Sequence, residues 1–211
     1  EMMFDALRFR TAWESVTARH TRISTIIGMA LTLLVTATSN NALASTVIKV
    51  GEGLPVLSVQ RGGRVVLEPD GYSVAPWSGP TDLGLVQVIQ YVPGTRRGGG
   101  IYDPLTERMR LELDVARYRI TAIVNINVAS RFAKPFVREA VVDKQRAFSL
   151  ATLVLDEDGT GKQDWDLSEH AAFIITDASG TVMDAIFGEP AKRDFDRIFQ
   201  TLEALLQVEH P

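Results

Sequence analysis

The sequence predicts an α/β fold in which a central mixed β-sheet is flanked by helices. Three features carry that expectation. Residues 85–91 are mostly apolar on both faces, as strands in the middle of a covered sheet are, and residues 120–126 read as a second buried strand. A stretch of helically spaced apolar residues follows each, and β-α-β-α order implies a parallel pair joined by crossover helices. Two further apolar runs then flank the short turn 177–180, and one amphipathic helix closes the chain.

The elements can be justified in order. Residues 45–84 are rich in Gly, Pro and short apolar patches, so short strands and turns are expected. Residues 56–59 and 65–67 read as strands around a Gly62-Gly63 turn, residues 68–71 as another turn, and residues 76–80 as a rigid loop. After the 85–91 strand, Asp103 is expected to cap a helix with Pro104 at its first position, running to about Val115. Phe132, Phe136, Val137, Ala140 and Val141 have helical spacing after the second buried strand. Residues 153–155 form the next strand, closed by a turn from Asp156 to Gly159. Residues 172–176 and 182–187 form a hairpin. The last helix is expected from Pro190, with Phe195, Ile198, Phe199, Leu202, Leu205 and Leu206 on its buried face. The order β-α-β-α-β-β-α describes a thioredoxin-like sandwich with short N-terminal strands, like those of peroxiredoxin-type variants. Such an analogy speaks to fold and not to function.

The beginning of the chain is an address. Arg19, His20 and Arg22 precede an apolar run over 23–37, which leads to Ala42-Leu43-Ala44. A basic region, a short apolar core and an Ala-x-Ala cut site make a secretory signal peptide. The run is shorter than the ~20 apolar residues a bilayer requires. Residues 1–44 are therefore read as a signal peptide with an upstream extension, Val16 being a reasonable start. Residues 45–211 are read as the exported domain, periplasmic and free of the membrane once cut after Ala44.

Composition narrows the chemistry. The chain has 211 residues, a net charge of −4, no cysteine and three histidines. An acidic, exported chain is a poor nucleic-acid binder, which also disfavours a transcriptional regulator. Without cysteine there is no thiol nucleophile, thiolate metal site or disulfide. His20 goes with the signal and His210 lies at the tail, so a serine triad or zinc site would rest on His170 alone, with no Gly-x-Ser-x-Gly elbow. No cofactor or metal is expected.

Several segments together resemble the YtfJ family of exported, thioredoxin-like bacterial proteins. They are residues 72–77, 85–91 with 93–95, 121–125, 136–138, 164–167 and 171–177, and the resemblance runs from about Val50 to Leu206. It implies a periplasmic domain from a family with no established activity, and it carries over no catalytic residue. Redox-active thioredoxin-like proteins place Cys-x-x-Cys after the first central strand. Here residues 93–102 stand in that place without a sulfur. Such proteins also place a proline before the hairpin, and residues 167–171 hold none. Disulfide exchange is excluded for this chain alone.

The candidate sites are then few. Arg96 and Arg97, followed by three glycines, could hold an anion through exposed N–H groups and charge, or could be a solvated mobile loop. The run from Asp156 to Gly161 has the sixth-position glycine of a calcium loop, but Leu167 stands where the bidentate glutamate belongs. Asp164, Asp166 and Glu169 offer carboxylates for an enzyme of unfamiliar type. Trp77 and Trp165 fall in expected loops, where they either pack or face a partner. The reading favoured by the sequence is a redox-inactive domain that binds a periplasmic protein or peptide through Arg96, Arg97, Trp77 and Trp165.

Overall fold

The computed structural model describes residues 47–80, 83–167 and 170–208. The signal-peptide reading of residues 1–44 lies outside them, as does Glu169. Among the described residues, seven strands form one sheet in the order β2-β1-β5-β4-β3-β6-β7. The strands are β1 (Leu57–Glu68), β2 (Gly71–Gly79), β3 (Val86–Pro93), β4 (Tyr118–Asn125), β5 (Thr152–Asp156), β6 (Ala172–Thr176) and β7 (Val182–Phe187). The helices are α1 (Asp103–Glu112), α2 (Lys134–Ala147), α3 (Thr160–Asp164) and α4 (Lys192–Val208). β3, β4 and β5 are parallel, while β6, β7, β1 and β2 run antiparallel to their neighbours. This is the mixed, helix-flanked sheet the apolar runs predict.

Alternation along the strands builds two cores. Gln90 turns to α1, where its amide donates to Thr106 Oγ1 at 2.7 Å. Its neighbour Tyr91 turns the other way, into a cluster with Leu57, Val59, Ile123, Val154, Trp165 and Ile174. α1 and α4 pack together, with the Arg108 guanidinium 3.8 Å from the Phe199 ring centroid. Lys144 of α2 reaches Asp103 at the start of α1 at 2.7 Å. Buried Gln145 fastens α2 to the start of β5. It accepts from Leu153 N at 3.0 Å and donates to Ala151 O at 2.8 Å.

Five local expectations are corrected. Gly62 and Gly63 are a bulge inside one strand and not a turn, with φ of 88° and 101°. A side chain at Gly62 would run into Leu155 O, because β1 there pairs closely with β5. Pro76 and Trp77 belong to β2 and not to a loop, and β2 is an edge strand, where the missing proline donor is tolerated. Asp103 is the first residue of α1, not its cap, and its carboxylate serves the ion pair with Lys144 instead. The last helix starts at Lys192, two residues beyond Pro190, where Asp194 accepts from Ala191 N at 2.8 Å. Phe132 and Phe136 are exposed although their spacing matches buried Val137 and Val141.

Candidate functional site

Parallel strands deliver their last residues to one end of the sheet. Pro93 of β3 pairs with Asn125 of β4, and Asn125 with Asp156 of β5. β6 begins opposite Tyr91, and β7 ends beside β6. Residues 93–102, the turn 156–159, His170 and Glu189 therefore emerge together. Open α/β sheets bind ligands at this end, where loops leave the carboxyl ends of the strands.

The 93–102 loop is neither an anion cradle nor a loose tether. Gly94 N donates to Asn125 O at 2.8 Å. Gly98 N donates to Thr95 Oγ1 at 3.1 Å, and Gly99 N to Thr95 O at 2.9 Å, so two of the three glycine donors are occupied within the loop. A side chain at Gly98 would overlap the Pro93 ring. At the far end Tyr102 is buried; its hydroxyl donates to Gly188 O at 2.7 Å, and its ring meets Phe173 edge-on at 5.3 Å. Burial pushes the Tyr102 phenol well above its ordinary value. Arg96 and Arg97 ride exposed on this pinned loop. Arg97 pairs with Glu189 at 2.9 Å, a contact at the surface that water screens.

At the same end of the sheet lies a buried polar centre that sequence reasoning missed. Asp156 is fully buried and accepts three hydrogen bonds: from Tyr91 Oη at 3.0 Å, Thr160 N at 2.9 Å and Gly161 N at 2.9 Å. It thereby fastens the short helix α3 to the sheet. Burial first, then the Asp156 charge and hydrogen bond, push the Tyr91 phenol far above its ordinary value. The one signal in the sequence was a tyrosine hydroxyl inside a mostly apolar strand, which needs a partner when buried.

The rest of the turn is committed to similar contacts. Glu157 pairs with Arg138 at 2.6 Å and Asp158 with Arg61 at 3.0 Å. Asn127 Nδ2 donates to Asp158 O at 3.1 Å. No group of three or more metal-ligating side chains occurs among the described residues. Asp164 is partly buried; that burial, and then the charge of Asp156, hold its carboxyl above the ordinary range. Asp166 is exposed at φ 49°. His170, also at positive φ, has Lys162 Nζ 2.6 Å from its Nε2.

The four residues named from the sequence do not converge. Trp165 is buried, donating Nε1–H to Pro55 O at 3.1 Å and meeting the Tyr91 ring edge-on at 6.4 Å. Trp77 packs against the same core from β2. Both tryptophans are therefore packing residues. β2 and the Glu189 partner of Arg97, just past β7, lie at opposite edges of the strand order. Of the four, only Arg96 and Arg97 are exposed at the loop end of the sheet.

Solved structures similar to this chain share its architecture. A putative thiol:disulfide interchange protein DsbE from Chlorobium tepidum superposes with a TM-score of 0.53 at 13% identity, covering 75% of this chain and 99% of that one. A thioredoxin-like superfamily protein gives 0.54 at 14% identity, over 74% of this chain and 96% of the other. These likenesses show a thioredoxin-like fold. In sequence, the chain is 25% identical to the uncharacterized protein YtfJ of Escherichia coli K12, over 75% of this chain and 88% of that one. An uncharacterized protein of Haemophilus influenzae is 21% identical over 160 residues. With the family model matching residues 48–205, the chain belongs to YtfJ_HI0045, a family described as bacterial protein of unknown function.

Proposed function

We propose that this chain is an exported, redox-inactive thioredoxin-like domain that binds a protein or peptide partner in the periplasm. The observation that carries the reading is the 93–102 loop. It occupies the place of the dithiol in redox-active relatives of the fold, holds no sulfur, and is pinned so that Arg96 and Arg97 face outward. A rigid loop loses little conformational entropy on binding, which favours recognition over disorder. The basic region, apolar run and Ala-x-Ala site at the start of the chain support export. No helix among the described residues is long and apolar enough to cross a membrane.

The test is crosslinking in periplasm with wild type and with Arg96→Ala/Arg97→Ala. The double variant should keep its melting temperature and lose partners that wild type captures. Retention of every partner overturns the reading. Mass spectrometry of the same fraction should find an N-terminus at Ser45.

A carboxylate-dependent enzyme is the second reading, favoured by the raised carboxyl of Asp164 beside Asp156. Against it, Asp156 already accepts three hydrogen bonds and is closed to solvent. Thiol-independent turnover abolished by Asp164→Asn would establish it.

A further inference from the structure

We propose that the protein forms a two-fold dimer in which the outer edges of two β2 strands pair antiparallel, with Ser73 at the axis. The inference is independent of the partner-binding reading above. The sheet ends in β7 on one side and β2 on the other. The start of the β7 edge is covered by the chain itself. Gly51 N donates to Val182 O and Val182 N to Glu52 O, both at 2.8 Å, and Gly53 bridges Thr181. Further along, β7 carries Asp184, ion-paired with Arg197. Among the described residues, β2 pairs with β1 alone, and nothing covers its outer edge. Its sequence, GYSVAPWSG, holds none of the charged residues that usually keep strand edges apart. One open edge per chain lets pairing stop at two copies.

Self-complementarity specifies the occupant. Alternate residues of a strand aim their main-chain groups to the same side. Ala75 turns its carbonyl toward Gly63 of β1, and Gly71 pairs with Glu68 across the turn. Tyr72, Val74 and Pro76 therefore aim outward. Pro76 has no donor to offer, so residues 71–75 are the edge that can pair. Two copies related about Ser73 set Tyr72 opposite Val74 of the second copy, and Val74 opposite its Tyr72, each pair exchanging both N–H···O bonds. An axis at Val74 would instead place Tyr72 against Pro76 and forfeit a bond. Leu67, Tyr72 and Val74 are 38%, 36% and 43% exposed, and their register puts them on one face. In the dimer they join their mates in one apolar strip, a tyrosine ring against a β-branched side chain at each crossing. On the other face, a row runs from Arg64 through Ala75 to Gly71 of the second copy and its Glu68. Opposite charges thus end a row whose middle residues are small, which favours this register over a foreign peptide.

The test is sedimentation of the purified protein between about 1 µM and 1 mM, where a small interface populates both states. Wild type should shift from monomer to dimer across that range. Val74→Lys sets an ammonium on the edge and should weaken the dimer at least about tenfold, with an unchanged melting temperature in dilute solution. Because the chain has no cysteine, Ser73→Cys gives a second reading that is specific to the register. Facing residues at a non-hydrogen-bonded position have Cα atoms about 4.5 Å apart, within disulfide range. Oxidised glutathione should link Ser73→Cys chains at least about tenfold faster than Ser78→Cys chains, whose thiols the axis holds roughly 33 Å apart. Hydrogen exchange at the Tyr72 and Val74 amides should slow as concentration rises, while the Ser73 and Ala75 amides, already turned to β1, should not change. A monomer at every concentration overturns the proposal, as does a dimer untouched by Val74→Lys or equal linking of the two cysteine variants. Slow exchange at Tyr72 and Val74 in a monomer would assign the edge to another segment of the same chain. Slowing only on addition of periplasmic extract would assign it to an extended peptide. Either result also overturns the proposal.

Discussion

Tyr91 and Asp156, 65 residues apart in sequence, meet at 3.0 Å inside the molecule and join β3 to the first turn of α3. A buried carboxylate is tolerable only when its oxygens are occupied. Tyr91→Phe should therefore cost about 1.5–3 kcal/mol, the loss of one hydrogen bond to a charged acceptor. Asp156→Ala should cost more, because it strands the Thr160 and Gly161 donors as well. The double variant should cost less than the two single losses together, as measured by urea midpoints. Additive losses would show that the two residues act independently.

Phe199 sits at the middle of the α4 stripe, buried under the Arg108 guanidinium. Phe199→Ala should destabilise the domain by about 3–5 kcal/mol through lost burial and a cavity. Chemical denaturation reads this directly, and a midpoint equal to wild type would mean that α4 contributes little docking energy.

Asp164 gives a pH dependence of defined sign. Its carboxyl is raised in the folded state by burial and then by Asp156, so ionisation opposes folding. This penalty is absent below the ordinary aspartate value of about 3.9 and grows as pH rises through the folded value. Asp164→Asn should therefore melt above wild type at pH 7, and the difference should vanish in acid. A difference of the opposite sign at pH 7 would show that Asp164 is stabilising as an anion.

With no cysteine in the chain, insulin reduction, disulfide isomerisation and thiol peroxidase activity should all be absent from the purified domain. Its melting temperature should be the same with and without dithiothreitol. A shift on adding the reductant would point to a bound thiol component from outside the chain.

Periodicity along the chain determined the two buried strands, the hairpin and the final amphipathic helix. Each depends on residues close together in sequence, whose alternation or 3.6-residue spacing is legible without partners. The missing cysteine was equally plain, because composition needs no structure. Only the tertiary structure decided what depends on distant pairing. Gly62 and Gly63 are a bulge because β5 approaches them, not because two glycines make a turn. Trp165 is core because Tyr91 and Pro55, far away in sequence, come to meet it. Phe132 and Phe136 follow the spacing of a buried face and yet are exposed. Asp156 looked like one of three turn carboxylates until the sheet placed Tyr91 above it. Local pattern specifies which segments are strands and helices; burial, register and the joining of side chains across the sheet arise only when those segments pack.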